Sequence, residues 1–313
     1  CALYSNPDWK YIIDTLAAPA PEQTGVDIRA STDDTGSAAR GGDWFLESHA
    51  GVNLKAVYFT ELIEGFRGTL NSKSIHTAII APDGTIYTTG NNLYGQLGVG
   101  DFVSRSVPTA MTLPVGKLAK KFACSNGHTV VIMTDGTLYG CGYNGNGQIG
   151  LTSENDGYNR KNELMQIALP SGKTAQGAAC GFYYTIVVMT DGTVYGTGIC
   201  STGQFGFPDS GDRSVLTTVP LPVGKTARSV ACGDNYTIIL MTDGTVYGTG
   251  ANSEGQLGLT DNATRTVLTA MTLPGVKKAQ SISCGRAHTV AVMMDGTVYA
   301  TGFNTYGQLG LND

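Results

Sequence analysis

HTVVIMTDGTLYGCGYNGNGQIG, residues 128–150, is one of five related copies along the chain, and its reading decides the fold. The last copy is HTVAVMMDGTVYATGFNTYGQLG at 288–310. The Asp-Gly pair begins at Asp83, Asp135, Asp191, Asp243 and Asp295, so the steps are 52, 56, 52 and 52 residues. Twelve residues after each Asp comes GQLG or a near copy, beginning at Gly95, Gly147, Gly203, Gly255 and Gly307. A period of this length marks an array of supersecondary units.

Within one copy the pattern is that of short strands. TVVIM (129–133) is β-branched and runs into TDGT, where Asp and Gly supply a tight reversal. TLYGCG (137–142) follows, and its glycines suit a strand that a neighbouring backbone approaches closely. A polar loop after GQLG leads to TAMTLP (109–114 in the first copy) and then to a stretch ending at Cys124. Four short strands separated by Gly, Pro and Asn turns predict the blade of a β-propeller. From the last Gly of GQLG to the Leu of the next LP is 15 residues in three copies and 19 in the copy beginning at Gly150. Insertions collect in loops, so 151–163 (LTSENDGYNRKNE) is expected to project furthest.

CGRAHT (284–289) followed by DGTVYATGFNTYGQLG (295–310), with four related copies, resembles the repeats of the regulator of chromosome condensation superfamily over about 76–313. The resemblance implies an all-β fold, a propeller of four-stranded blades; members usually carry seven repeats, and five stand here. VNLKAVYFTELIEGFRGTL (52–70) precedes the first copy where a TAMTLP-type segment precedes the others. The expected division is therefore a propeller over 51–313, with 51–75 supplying strands to the ring, and a separate small α/β segment over 1–50.

DWKYIIDTLA (8–17) places Trp9, Ile12, Ile13 and Leu16 near helical spacing. TGVDIRASTDDTGSAARGGDWFLE (24–47) resembles the C-terminal end of a caspase-like domain of uncertain function found in large secreted bacterial surface proteins. In that family a Cys falls where Cys1 stands, with its partner His upstream, and no His precedes Cys1 in the sequence. Cys1 is read as a fragment boundary, a processed terminus or a lipid-anchored Cys.

Composition narrows the function. Charged residues make up 14% against a usual ~25%, and net charge is −5. Lys120-Lys121 and Lys277-Lys278 are the nearest approach to a basic cluster, which argues against nucleic-acid binding. Nothing reaches 18 consecutive apolar residues, so no membrane-spanning helix is expected. Cys124, Cys180, Cys232 and Cys284 share one repeat position and read as buried thiols; a bridge between Cys141 and Cys200 stays open.

His76, His128 and His288 share a slot that Tyr184 and Tyr236 fill elsewhere, which points to packing or hydrogen bonding rather than metal ligation or catalysis. SGKT (171–174) and VGKT (223–226) lack the upstream Gly of a phosphate loop. No catalytic, cofactor or metal site emerges, and a non-enzymatic protein is expected. The leading expectation is a secreted structural or adhesive propeller, a homo-oligomeric or polymeric subunit of a bacterial extracellular filament or surface layer. The alternatives are a guanine-nucleotide-exchange propeller and a glycan-binding one using Tyr94 or Tyr306. The candidate interaction loop contains Glu154, Asp156, Tyr158, Arg160 and Glu163.

Overall fold

A computed structural model of the chain describes residues 75–151, 159–209, 211–275 and 277–310. These belong to a compact unit, Gly68–Asp313. The expected helix at 8–17 and strands within 51–74 lie outside the described residues, as do Cys1, Glu154, Asp156 and Tyr158.

Every described element is a strand, and the strands form five antiparallel sheets in which sequence neighbours pair. Blade 1 holds β1 (His76–Ile80), β2 (Ile86–Gly90) and β3 (Arg105–Ala110). Blade 2 holds β4 (Ala119–Cys124), β5 (His128–Met133), β6 (Leu138–Tyr143) and β7 (Arg160–Ile167). Blade 3 repeats this with β8 (Ala175–Cys180), β9 (Tyr184–Met189), β10 (Val194–Gly198) and β11 (Arg213–Thr218). Blade 4 has β12 (Ala227–Cys232), β13 (Tyr236–Met241), β14 (Val246–Gly250) and β15 (Arg265–Ala270). Blade 5 has β16 (Ala279–Cys284), β17 (His288–Met293) and β18 (Val298–Gly302). The inner strands β4, β8, β12 and β16 pack on one another from blade to blade. The fold is a β-propeller of the expected blade type.

Burial follows from that stacking. β5, β9 and β13 are buried at every position because a blade covers each of their faces. This is why TVVIM-type runs are continuously apolar rather than alternating. β17 and β1 alternate buried with half-buried residues, the signature of a strand covered on one face.

Glycine is required where blades and strands touch. Gly142 has φ +103°, and a Cβ there would lie 2.3 Å from the Gly127 carbonyl oxygen, at the point where the β6–β7 register shifts. Gly147 has φ +76°, and its Cβ would meet Ser214 Cα in the next blade at 2.5 Å. The first Gly of GQLG thus sets how closely blades approach.

The shared His/Tyr slot is the latch between blades. His76 Nε2 lies 2.7 Å from Thr129 Oγ1, and His128 Nε2 lies 2.9 Å from Thr185 Oγ1. Both threonines donate onward, to the Gln96 and Gln148 carbonyls at 2.8 and 2.7 Å, so each imidazole Nε2–H is the donor. Ser125 Oγ donates to His128 Nδ1 at 2.7 Å, which holds that ring neutral. Tyr184 and Tyr236 donate instead to the carbonyls of Tyr236 and His288; Tyr184 accepts from Thr237 at 3.3 Å, and Tyr236 Oη lies 3.3 Å from Thr289 Oγ1, whose proton goes to the Gln256 carbonyl. Tyrosine fits because Gly181 and Gly233 stand three residues earlier; a Cβ at either would come within 2 Å of the Tyr184 or Tyr236 ring.

Burial pushes His76 down to about 4 and His128 down to about 3 from 6.5. The folded values lie below the unfolded one, so the unfolded chain binds more protons as pH falls. Stability is full above pH 6.5 and is lost down to the folded values, at about 1.4 kcal/mol per pH unit for each imidazole. In urea melts between pH 6.5 and 4.5, Ser125→Gly/His128→Tyr should remain folded and lose about half of this slope. His128→Tyr alone should destabilise by about 1–3 kcal/mol at pH 7, because the ring meets the Ser125 Cβ, and this deficit should shrink as pH falls and the native imidazole loses its contribution.

Candidate functional site

The strand ends define two sets of loops. On one side are the Asp-Gly turns and the GK loops that lead to the next inner strand. In each turn the Asp Oδ1 accepts the N–H two residues on, as Asp135 does from Thr137 at 3.0 Å. The Oδ2 atoms of Asp135, Asp191 and Asp243 pair with Lys117, Lys173 and Lys225, and Asp295 pairs with Lys277 at 3.0 Å. The lysine partners hold Asp135, Asp191 and Asp243 well below the usual carboxylate range. Four of the five Asp-Gly turns thus have their carboxylate paired with a lysine of the preceding loop. The sequence signal was the 18-residue spacing from Lys117, Lys173, Lys225 and Lys277 to the Asp of the following Asp-Gly turn.

On the other side lie the C-x-x-x-[His/Tyr] loops and the GQLG loops. Buried amides hold the latter from within: Asn92 Oδ1 accepts the Leu97 N–H and Gln96 Oε1 accepts the Tyr94 N–H, each at 2.9 Å. Gln96 Nε2 donates to Asn91 Oδ1 at 2.9 Å; at the matching positions Tyr143 and Ile199 offer no amide oxygen, and Gln148 Nε2 and Gln204 Nε2 are buried without partners. With its interior so fixed, the loop turns Tyr94 outward, 42% exposed.

Tyr94 begins a strip of rings that crosses three blades. Its centroid is 5.1 Å from that of Tyr143, which is 6.0 Å from Tyr183, which is 4.3 Å from Phe182, all in tilted or edge contacts. Asn126 and Asn146 are half-buried in the same loops. Burial, then the neighbouring Tyr94 and Tyr143, raises the Tyr183 phenol, which stays a neutral donor near pH 7. The strip combines broad apolar area with polar tips. It escapes sequence inspection because Tyr94, Tyr143 and Tyr183 occupy three different repeat slots and meet only across blade junctions.

The expected interaction loop needs correction. Residues 160–163 belong to β7, where Arg160 pairs with Tyr143 and Lys161 with Gly142. Arg160 turns back: its guanidinium lies 4.0 Å from the Phe102 ring centroid and donates to the Leu93 carbonyl at 2.8 Å, bracing the loop that carries Tyr94. Asn162 donates to the Gly100 carbonyl at 2.7 Å, so part of the inserted stretch serves a blade junction. Glu163 is exposed on β7. Tyr306, the other expected aromatic, is 86% exposed and pairs only with Phe303, at 5.8 Å, among the ring contacts of the described residues.

The described residues hold no group of three metal-ligating side chains. Cys141 and Cys200 are not bridged, and none of the four inner-strand cysteines is in a disulfide; Cys124, Cys180 and Cys232 are buried as expected, whereas Cys284 is half-buried. A groove between blades 4 and 5, lined by Met271, Leu273, Ala291 and Tyr299 among others, contains no carboxylate, cation, thiol or imidazole. No helix of the described residues is long and apolar enough to cross a membrane.

Residues 68–313 match the family model of the RCC1-like domain, and the chain belongs to that family. Residues 12–70 match a domain of unknown function, DUF4347; the caspase-like character expected there gains nothing further. Similar proteins include the Ultraviolet-B receptor UVR8 of Arabidopsis thaliana, 30% identical over 76% of this chain and 53% of the receptor. The Regulator of chromosome condensation of Mus musculus is 30% identical over 75% of this chain and 59% of its own. The Secretion-regulating guanine nucleotide exchange factor of Bos taurus is 30% identical over 72% and 49%. The chain thus spans about half the length of these relatives. Among solved structures, human WBSCR16 superposes with a TM-score of 0.66 at 23% identity, over 73% of this chain and 59% of that one.

Burial pushes the Cys124 thiol up to about 12. In the folded protein at pH 8, iodoacetamide should leave the peptide containing Cys124 unmodified, as read by mass spectrometry. Denaturant should make it fully reactive.

Proposed function

We propose that this chain is a non-enzymatic regulatory propeller that docks a protein partner on the loop face of blades 1–3. The observation that carries the reading is the strip Tyr94–Tyr143–Tyr183–Phe182. Its rings are pre-packed against one another, so little rotamer entropy is lost when a partner covers them. Tyr with Asn, Ser and Gly between is also the composition of surfaces that recognise proteins, rigid rings giving area and small polar residues giving adaptable hydrogen bonds. Arg160 stiffens the Tyr94 loop from behind.

The relatives favour this reading over a structural subunit of a bacterial surface layer. They are a plant receptor, a regulator of chromosome condensation and an exchange factor, all from eukaryotes. A small GTPase is therefore the partner to test first. Exchange needs no catalytic side chain: a surface that binds the nucleotide-free GTPase more tightly than the loaded one lowers nucleotide affinity by the same factor.

Release of a fluorescent GDP analogue from a panel of small GTPases should accelerate with micromolar chain. Tyr94→Ala/Tyr183→Ala should reduce the effect about tenfold or more while the thermal melt stays cooperative. Basal release across the panel would overturn exchange. Undiminished activity of the double variant would overturn the placement on this strip.

A further inference from the structure

The inner strands carry their charges at one end. β4 reads AKKFAC, β8 AQGAAC, β12 ARSVAC and β16 AQSISC, so the second and third positions supply Lys120, Lys121 and Arg228 and no acid at all. Neighbouring inner strands lie in register: Cys180 Sγ donates to the Ala123 carbonyl at 3.5 Å and Cys232 Sγ to the Ala179 carbonyl at 3.6 Å, the same step each time. Each inner strand starts after a GK loop, which brings these cations to the turn-face end of the concave wall. Lys121 Nζ donates across to the Gln176 carbonyl at 2.9 Å, and Gln176 holds in β8 the place that Arg228 holds in β12. Lys278, immediately before β16, extends the row.

Lys120, Arg228 and Lys278 are exposed and have no ion pair among the described residues. Of the carboxylates in the matching turns, Asp135, Asp191, Asp243 and Asp295 are already held by the lysines of the preceding loops, which leaves Asp83, at the turn beside the start of β4, as the one without an ion pair among the described residues. A chain of net charge −5 thus places these three exposed cations without ion pairs at the turn-face end of its inner strands.

We propose that the turn-face end of this wall, across β4, β8 and β12, binds an acidic peptide segment in extended form. The cations stand on separate strands instead of converging, which suits carboxylates spaced along a chain better than one phosphate. Gln176, on β8 between them, and Ser229, beside Arg228 on β12, offer hydrogen bonds to peptide amides. A nucleic acid would meet these few cations and then the net negative charge of the rest. This site lies on the opposite side from the aromatic strip and does not depend on it.

The test is fluorescence anisotropy of a fluorescein-labelled oligoglutamate peptide with the whole chain, at low and at raised salt. Binding is expected at low salt and should weaken as salt screens it. Lys120→Glu/Arg228→Glu should weaken it about tenfold or more, with an unchanged thermal melt. Tyr94→Ala/Tyr183→Ala should leave it unaltered, which separates this site from the loop face. No binding by the native chain, or equal binding by the charge-reversed one, would overturn the site. Tighter binding of a labelled oligothymidylate of equal charge would overturn its assignment to peptide.

Discussion

The contact between one blade's slot residue and the threonine of the next blade is the constraint on which the rest depends. A four-stranded sheet with two apolar faces has no stable existence alone and must be covered on both sides. Apolar cover is non-directional, so it leaves open how far one blade slides along its neighbour. The latch removes that freedom. Losing one partner would leave a buried donor or acceptor unmet, at a cost of about 1–3 kcal/mol. His128 with Ser125 and Tyr184 with Gly181 solve the same problem with different chemistry. Glycine stands three residues before Tyr184, Tyr236 and also His288, where a Cβ would meet the ring within 2 Å, so Ser125 beside His128 is the copy in which slot and preceding residue must change together.

The two loop faces use their polar groups differently. On the turn face, Lys–Asp pairs tie each GK loop to the following hairpin and use up the carboxylates of those turns. Such exposed pairs add little stability; their effect is to leave the inner-strand cations without local counter-charges. On the opposite face the polar groups are amides turned inward, and rings face outward. One protein therefore presents an aromatic surface and a cationic one on opposite sides of the same sheets.

Much of this was legible in the sequence for definite reasons. The Asp-Gly and GQLG repeats are fixed by positive-φ turns and by blade contact, so their period exposes the blade directly. The interchange of His and Tyr in one slot identified it as a packing and hydrogen-bonding position, which the latch explains. The inserted stretch was read as all loop, whereas β7 takes up part of it as an eight-residue strand beside six-residue counterparts. Length excess in a repeat says nothing of whether a strand or its connection absorbs it. The aromatic strip and the row of inner-strand cations were illegible for a shared reason. Each gathers residues from unlike slots or distant copies, and only the stacking of blade on blade puts them side by side.

The buried amides beneath the GQLG loops have one more consequence. Because Asn92 and Gln96 fix the loop backbone from inside, the outward residues at 93 and 94 contribute little to holding it. The corresponding outward pairs in other blades are Gly-Asn, Ser-Thr, Ser-Glu and Thr-Tyr. Recognition is thereby uncoupled from folding, and each blade's exposed pair is free to drift or be selected on its own. The frame thus tolerates unlike exposed residues in every blade while the fold beneath them stays the same.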